Sequence, residues 1–135
     1  MNSLLFASLL AALFVLSLGY EQNVTVTGQV ICDKKTVRNA RVELREHDTR
    51  EYFDPDDSLN VIHTDKDGKF TIFGKEDEIT SIRPYIRIDH KCDVAESNCY
   101  RVSDFEIPTE KVGSIYNMNY INLDIRGHTD KTKCE

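Results

Sequence analysis

Basic residues are in short supply: 17 Lys and Arg stand against 23 Asp and Glu, a formal net charge of -6. A phosphate backbone needs a basic footprint, so nucleic acid is excluded as the main partner. Long apolar runs are missing too. The longest, Leu4 to Leu18, is about fifteen residues where a bilayer span needs roughly 20, so no transmembrane segment is expected. There is no Cys-x-x-Cys pair, and the spacing of the four cysteines fits no common zinc pattern. No Gly-x-Ser-x-Gly nucleophile elbow occurs. At 135 residues the chain is too short for a barrel enzyme or a full dinucleotide-binding fold. It has no internal repeat, low-complexity tract or linker, so it reads as one domain behind a leader.

The leader is what the uncharged N-terminus provides. Residues 1–19 carry no charged side chain, and Ser17 and Gly19 are small residues two apart, as a signal peptidase site requires. Cleavage is expected between Gly19 and Tyr20, leaving residues 20–135 as the mature domain of a secreted, extracellular protein. Leucine is scarce in that domain, with 3 Leu beside 11 Ile and 9 Val. β-branched side chains lose freedom in helices and pack well on pleated sheets, so the composition alone predicts mostly β structure.

Alternation supports the same reading. Val24 and Val26 alternate with Thr25 and Thr27 in a first strand over Asn23 to Asp33, and Gly28 marks a bulge or a close backbone approach. Ala40, Val42 and Leu44 alternate with Arg41, Glu43 and Arg45. Leu59 to Thr64 and Lys69 to Phe73 flank Asp65-Lys66-Asp67-Gly68, a tight-hairpin signal. Lys75 to Ser81 reads as a helical turn or loop. Ile82 to Asp89, with Pro84 restricting it to an edge or a late start, Tyr100 to Ile107, and Ile115 to Arg126 complete about seven strands. Ile121, Leu123 and Ile125 are expected inward in the last strand, and His128 to Glu135 reads as a loose tail. The pattern predicts an all-β antiparallel sandwich.

An oxidising compartment turns four cysteines into two disulfides, with three possible connectivities. Cys92 and Cys99 bracket a polar six-residue loop, which favours pairing them and leaves Cys32 to join Cys134. Asn23-Val24-Thr25 is the single glycosylation sequon, expected to be exposed and used.

Several stretches resemble the nematode transthyretin-like family of small secreted proteins. They are Val26-Thr27-Gly28-Gln29-Val30, Asn39-Ala40-Arg41-Val42-Glu43-Leu44, Thr64 to Phe70, Pro84-Tyr85-Ile86 with His90-Lys91-Cys92, and Tyr120 to Ile125. The match covers nearly all of the mature chain. The resemblance implies a transthyretin-like (prealbumin-like) sandwich, secretion, and no established enzymatic activity. The fold is shared with 5-hydroxyisourate hydrolases, which are similar to one another in a C-terminal Tyr-Arg-Gly-Ser. Here Ile125-Arg126-Gly127-His128 keeps only Arg-Gly, and the chain runs on to Glu135. That departure leaves the hydrolase as an alternative, with His90 or Arg126 as the residues it would need.

The remaining chemistry is thin. Asp54, Asp56, Asp57, Asp65 and Asp67 suggest calcium, but aligning Gly68 with an EF-hand glycine puts His63 and Gly74 at ligand positions. His47, His63, His90 and His128 show no metal-ligand spacing, and neither metal nor cofactor is expected. The expected role is a non-enzymatic binding module, for a small apolar or lipid ligand or a cell-surface partner, with oligomers possible. Its candidate contact residues are Tyr116, Met118 and Tyr120, which share one face of the last strand unless a bulge turns them into the core. A third reading is an extracellular bridge that engages receptors or lipid head groups, with Lys34, Lys35 and Arg38 as a small basic cluster.

Overall fold

A computed structural model describes residues 20–48, 56–78, 81–127 and 129–135. The expected leader, residues 1–19, lies outside them, as do Asp54 and His128. Among the described residues nine strands form two sheets that enclose one core. They are β1 (Tyr20–Cys32), β2 (Lys35–Thr36), β3 (Arg41–Glu46), β4 (Asp57–His63), β5 (Lys69–Glu78), β6 (Pro84–His90), β7 (Cys99–Glu106), β8 (Ile115–Asn122) and β9 (Thr129–Cys134).

The four-stranded sheet has β1 at its centre, antiparallel to β2 and β5 and parallel to β8. The five-stranded sheet runs β4-β3-β6-β7-β9, all antiparallel. Val24, Val26, Val30, Ile72 and Ile121 from the first sheet meet Val42, Leu44, Ile86 and Ile88 from the second. These alternate positions are nearly all fully buried, so each strand gives one face to the core. The all-β sandwich read from alternation and turn spacing is therefore the observed architecture, with β1–β8 a parallel pair among antiparallel ones.

Local chemistry accounts for the joints. Asp65 Oδ1 accepts N–H bonds from Asp67 at 2.8 Å and Lys69 at 2.9 Å, closing the β4–β5 hairpin. Only Gly68 turns to positive φ there (75°), and a Cβ on it would lie 2.8 Å from the Val30 carbonyl. Pro84 opens β6 at its first residue, where it costs no ladder bond.

Several boundaries differ from the sequence reading. Residues 75–78 continue β5 and are neither a loop nor a helical turn. The strand from Ile115 ends at Asn122, so Ile125 lies beyond it and is exposed. The tail is not loose: Thr129–Cys134 pairs with β7 as an edge strand. That strand has no apolar alternation to reveal it, because its residues are mostly exposed.

The disulfide pairing is also corrected. Cys32 bonds to Cys92, and Cys99 to Cys134. Cys92 follows β6 and reaches across to the end of β1, joining the two sheets. Cys99 opens β7 directly opposite Cys134 on β9. A ring between Cys92 and Cys99 would have required both to face the same loop, whereas they serve different neighbours.

Candidate binding face

The outer surface of the four-stranded sheet is built in rows. Thr25 on β1 lies between Phe73 on β5 and Ile115 on β8. Thr27 lies between Thr71 and Asn117, and Gln29 between Lys69 and Tyr120. Because the alternate residues Val24, Val26 and Val30 point into the core, these rows point away from it. Phe73, Ile115 and Tyr120 are 48%, 69% and 71% exposed, a large apolar display for one sheet face. At the Gln29 end the face dips into an open groove of about 810 Å³, lined by Thr27, Gln29, Thr71, Asn117, Asn119 and Tyr120, with Ile62 and His63 also on its wall.

A bulge in β8 shapes that groove. The register to β1 slips between Thr27 and Gln29, opposite Gly28. Asn119 takes the extra place with φ 59°, and its N–H is held by Asn117 Oδ1 at 2.9 Å. A Cβ on Gly28 would meet the Phe70 ring at 3.0 Å and Ile121 Cδ1 at 3.1 Å, so the glycine permits both the bulge and the packing beneath it.

The bulge also separates the three residues expected to act together. Tyr116 and Met118 pack against the core, while Tyr120, one place out of phase, projects outward. Both sequence alternatives thus hold in part along one strand. Phe73 and Ile115, which the sequence reading did not single out, complete the patch. Their signal was phase: Phe73 lies out of step with the buried Phe70 and Ile72. Asn23 sits on the same outer face of β1, opposite Lys75 and partly exposed.

The residues that chemistry would need are occupied. The backbone N–H of Cys92 donates to His90 Nδ1 at 3.1 Å. The ring proton is therefore on Nε2, which donates to Ser103 Oγ at 2.8 Å, and Ser103 donates on to Asp130 Oδ2 at 2.6 Å. Burial, and then the Arg101 charge, press the His90 imidazole down to about 4. Burial alone would raise the Asp130 carboxyl, but hydrogen bonds from Arg101, Ser103, Arg126 and Gly127 outweigh it and hold it well below the usual range. A neutral histidine whose two nitrogens are both spent on the protein is a poor general base. Arg126 donates to Asp130 Oδ1 at 2.8 Å from the solvent side. Arg126 thus binds the Asp130 carboxylate directly, and His90 reaches it only through Ser103.

The outer face of the five-stranded sheet is charged and internally paired. Tyr85 donates to Asp56 Oδ2 at 2.6 Å, accepts from Arg45 Nε at 2.9 Å, and stacks on His47 at 4.2 Å. Burial and the Asp56 carboxylate push its phenol up to about 12. Asp56 is thus engaged in this network, and Asp65 in the hairpin turn. The carboxylates of Glu46, Asp57 and Glu76 do come within 4.8 Å of one another. Three oxygens, one from each carboxylate, are at most half of the six to eight that calcium takes. Lys34, Lys35 and Arg38 are all exposed, and Lys35 and Arg38 border a cavity of about 350 Å³ together with Lys91.

Comparison with known proteins places this geometry among relatives. Residues 27–108 match the family model described as TTR-52, transthyretin-like family. Transthyretin-like protein 16 of Caenorhabditis elegans is 42% identical over the whole of both chains. Transthyretin-like protein 33 of the same organism is 32% identical over 93% of this chain and 94% of its own. Among solved structures, a 9R-lipoxygenase from Cyanothece PCC8801 is similar with a TM-score of 0.51 at 18% identity. The match covers 76% of this chain but only 16% of that enzyme, a likeness of fold alone.

Proposed function

Because this chain belongs to the transthyretin-like family, we propose that it is a secreted, non-enzymatic binding module whose ligand, a small amphipathic or lipid molecule, lies on the outer face of the four-stranded sheet. The observation that carries this reading is the groove beside Tyr120. Its volume of about 810 Å³ falls within the range of small-molecule sites. Its walls mix amides and hydroxyls with apolar surface, and Asp65, Lys69 and His63 also line it, a composition suited to a ligand with a polar end and an apolar body. Two disulfides are consistent with an oxidising compartment. Glycosylation at Asn23 would mark the same face, outside the groove.

The test is native mass spectrometry of mature protein secreted from eukaryotic cells, alone and with oleate or lysophosphatidylcholine as probes. Extra mass beyond the glycan, reduced at least tenfold by Thr71→Trp, supports the groove. Binding that ignores Thr71→Trp, or no binding of either probe, sinks it. A second reading, bridging to anionic lipid head groups, draws on the cations around the smaller cavity, Lys35, Arg38 and Lys91. Cosedimentation with phosphatidylserine vesicles, abolished by charge reversal at Lys35 and Arg38, would favour it instead. The hydrolase alternative has less support, since His90 is buried and bonded at both nitrogens.

A further inference from the structure

The sequon and the apolar end of the outer sheet face lie one row apart. Asn23 is on the outward side of β1, in phase with Thr25, while the buried Val24 between them points the other way. Asn23 sits opposite Lys75 on β5. On its other side stands Gly113, whose N–H donates to the Asn23 carbonyl at 2.6 Å. A Cβ on Gly113 would meet no atom within 4 Å, so the space beside Asn23 is open. The next row is Phe73, Thr25 and Ile115. Thr25 is thus both the third residue of the sequon and the short floor between two exposed apolar walls.

That row has the spacing and chemistry of a sugar cradle. Neighbouring strands are about 4.8 Å apart, and alternate residues along a strand about 6.8 Å. Phe73 and Ile115 therefore lie on the two diagonals from Asn23, within reach of a long side chain. One pyranose ring on the Asn23 amide spans that step. A β-linked N-acetylglucosamine presents a face of C–H groups that packs on an aromatic ring, while its hydroxyls and acetamide turn to the edge and to water. Phe73 and Ile115 offer the apolar surface that this face matches. In the opposite direction the next row is Glu21 and Asp77, whose charges would lose hydration if covered.

We propose that an N-linked glycan on Asn23 is a built-in cover for this end of the sheet, with its first N-acetylglucosamine seated over Thr25 between Phe73 and Ile115. Tethering selects this occupant: a sugar fixed one row away has a far higher effective concentration than any free partner. The cover hides the exposed Phe73 and Ile115 and leaves the groove at the Tyr120 end open, two rows further along. The proposal rests on the secretion in the reading above, since the glycan is added in the secretory pathway, and not on the groove or its ligand.

The test uses protein secreted from eukaryotic cells grown so that glycans stay high-mannose. Mass spectrometry should find the glycan on Asn23. Endoglycosidase H leaves one N-acetylglucosamine and should move the melting temperature by less than about 1 °C. Peptide N-glycosidase F removes that sugar too, and should lower melting by about 4 °C and at least double the fluorescence of added anilinonaphthalene sulfonate. Asn23→Gln should match the sugar-free form, which excludes the charge the second enzyme leaves behind. Phe73→Ser should erase the difference between the one-sugar and sugar-free forms, and Phe73→Tyr should keep it. Secreted protein without a glycan on Asn23 overturns the proposal and leaves secretion standing. So does a one-sugar form that melts and binds dye like the sugar-free form, or a difference that survives Phe73→Ser. Protein that never reaches the medium would sink the secretion reading and this proposal together.

Discussion

Arg101 and Asp130 form a two-point ion pair at one end of the sandwich, with Nε to Oδ1 at 3.0 Å and the second guanidinium nitrogen to Oδ2 at 2.9 Å. Both side chains are shielded from solvent, at 1% and 6% exposure. The remaining Arg101 nitrogen donates to the carbonyls of Cys92 and Leu123, so one side chain ties β7 to β9, to the disulfide and to the chain leaving β8. Such a pair contributes little over an apolar replacement, but breaking it from one side leaves a buried charge.

Asp130→Asn should therefore lower unfolding free energy by about 3–5 kcal/mol. Replacing both partners, with Arg101→Met added, should recover part of the loss, because no charge then stays buried without its counterion. Urea denaturation of the three variants measures this. A loss below about 1 kcal/mol for Asp130→Asn would show that water reaches the site and that the pair is not dry.

Acid should weaken the fold through the same network. His90 is held down to about 4 in the folded state, while the unfolded chain takes up the proton near 6.5. Between those values the unfolded state binds more protons, so stability is greatest above pH 6.5 and declines as pH falls to 4. The span corresponds to about 3 kcal/mol. Asp130, also depressed, adds a loss that begins as pH drops below the ordinary carboxylate range. Denaturation midpoints at pH 7.5, 5.5 and 4.5 should fall in that order, and His90→Gln should flatten the trend. Equal midpoints would contradict a buried neutral His90.

Disulfide mapping under non-reducing conditions should recover peptides joining Cys32 to Cys92 and Cys99 to Cys134. Replacing Cys99 and Cys134 together by Ser should cost up to about 4 kcal/mol in the loop-entropy model. The damage should be local: hydrogen exchange should quicken in β7 and β9 while β1 and β5 stay protected. Uniform acceleration would mean that β9 belongs to the global folding unit.

The parts of this molecule legible in its sequence are those where one residue type serves one role. Val24, Val26, Val42 and Leu44 alternate because one face is core, and Asp65 with Gly68 announces a turn. Pairing of the cysteines was not legible, because it depends on β9. That strand, Thr-Asp-Lys-Thr-Lys-Cys, buries little and so carries no hydrophobic period. The polar network of His90, Ser103 and Asp130 was equally hidden, since its members lie on three strands that only register brings together. The binding face was half legible. Tyr120 was singled out, but its separation from Tyr116 and Met118 turns on the φ of Asn119, which no side-chain pattern records.

Asn119 is accordingly the residue that takes up the register slip. Its φ of 59° suits asparagine and glycine and strains a β-branched side chain. Asn119→Gly should be close to neutral, while Asn119→Val should cost about 1–3 kcal/mol. Deleting Asn119 is the sharper experiment. With the extra residue gone, regular alternation from Ile115 keeps Met118 inward, Tyr120 on the outer face and Ile121 in the core. The core beneath Gly28 has room for Ile121, whose Cδ1 already lies 3.1 Å from where a Gly28 Cβ would stand, and none for a tyrosine ring. The deletion should therefore leave Tyr120 exposed and lower the melting temperature by less than Asn119→Val, which keeps the extra residue but strains the φ that absorbs it. If the deletion cost more than Asn119→Val, or buried Tyr120, Asn119 would not be the residue that takes up the register slip, and the link drawn here between it and the binding face would be wrong.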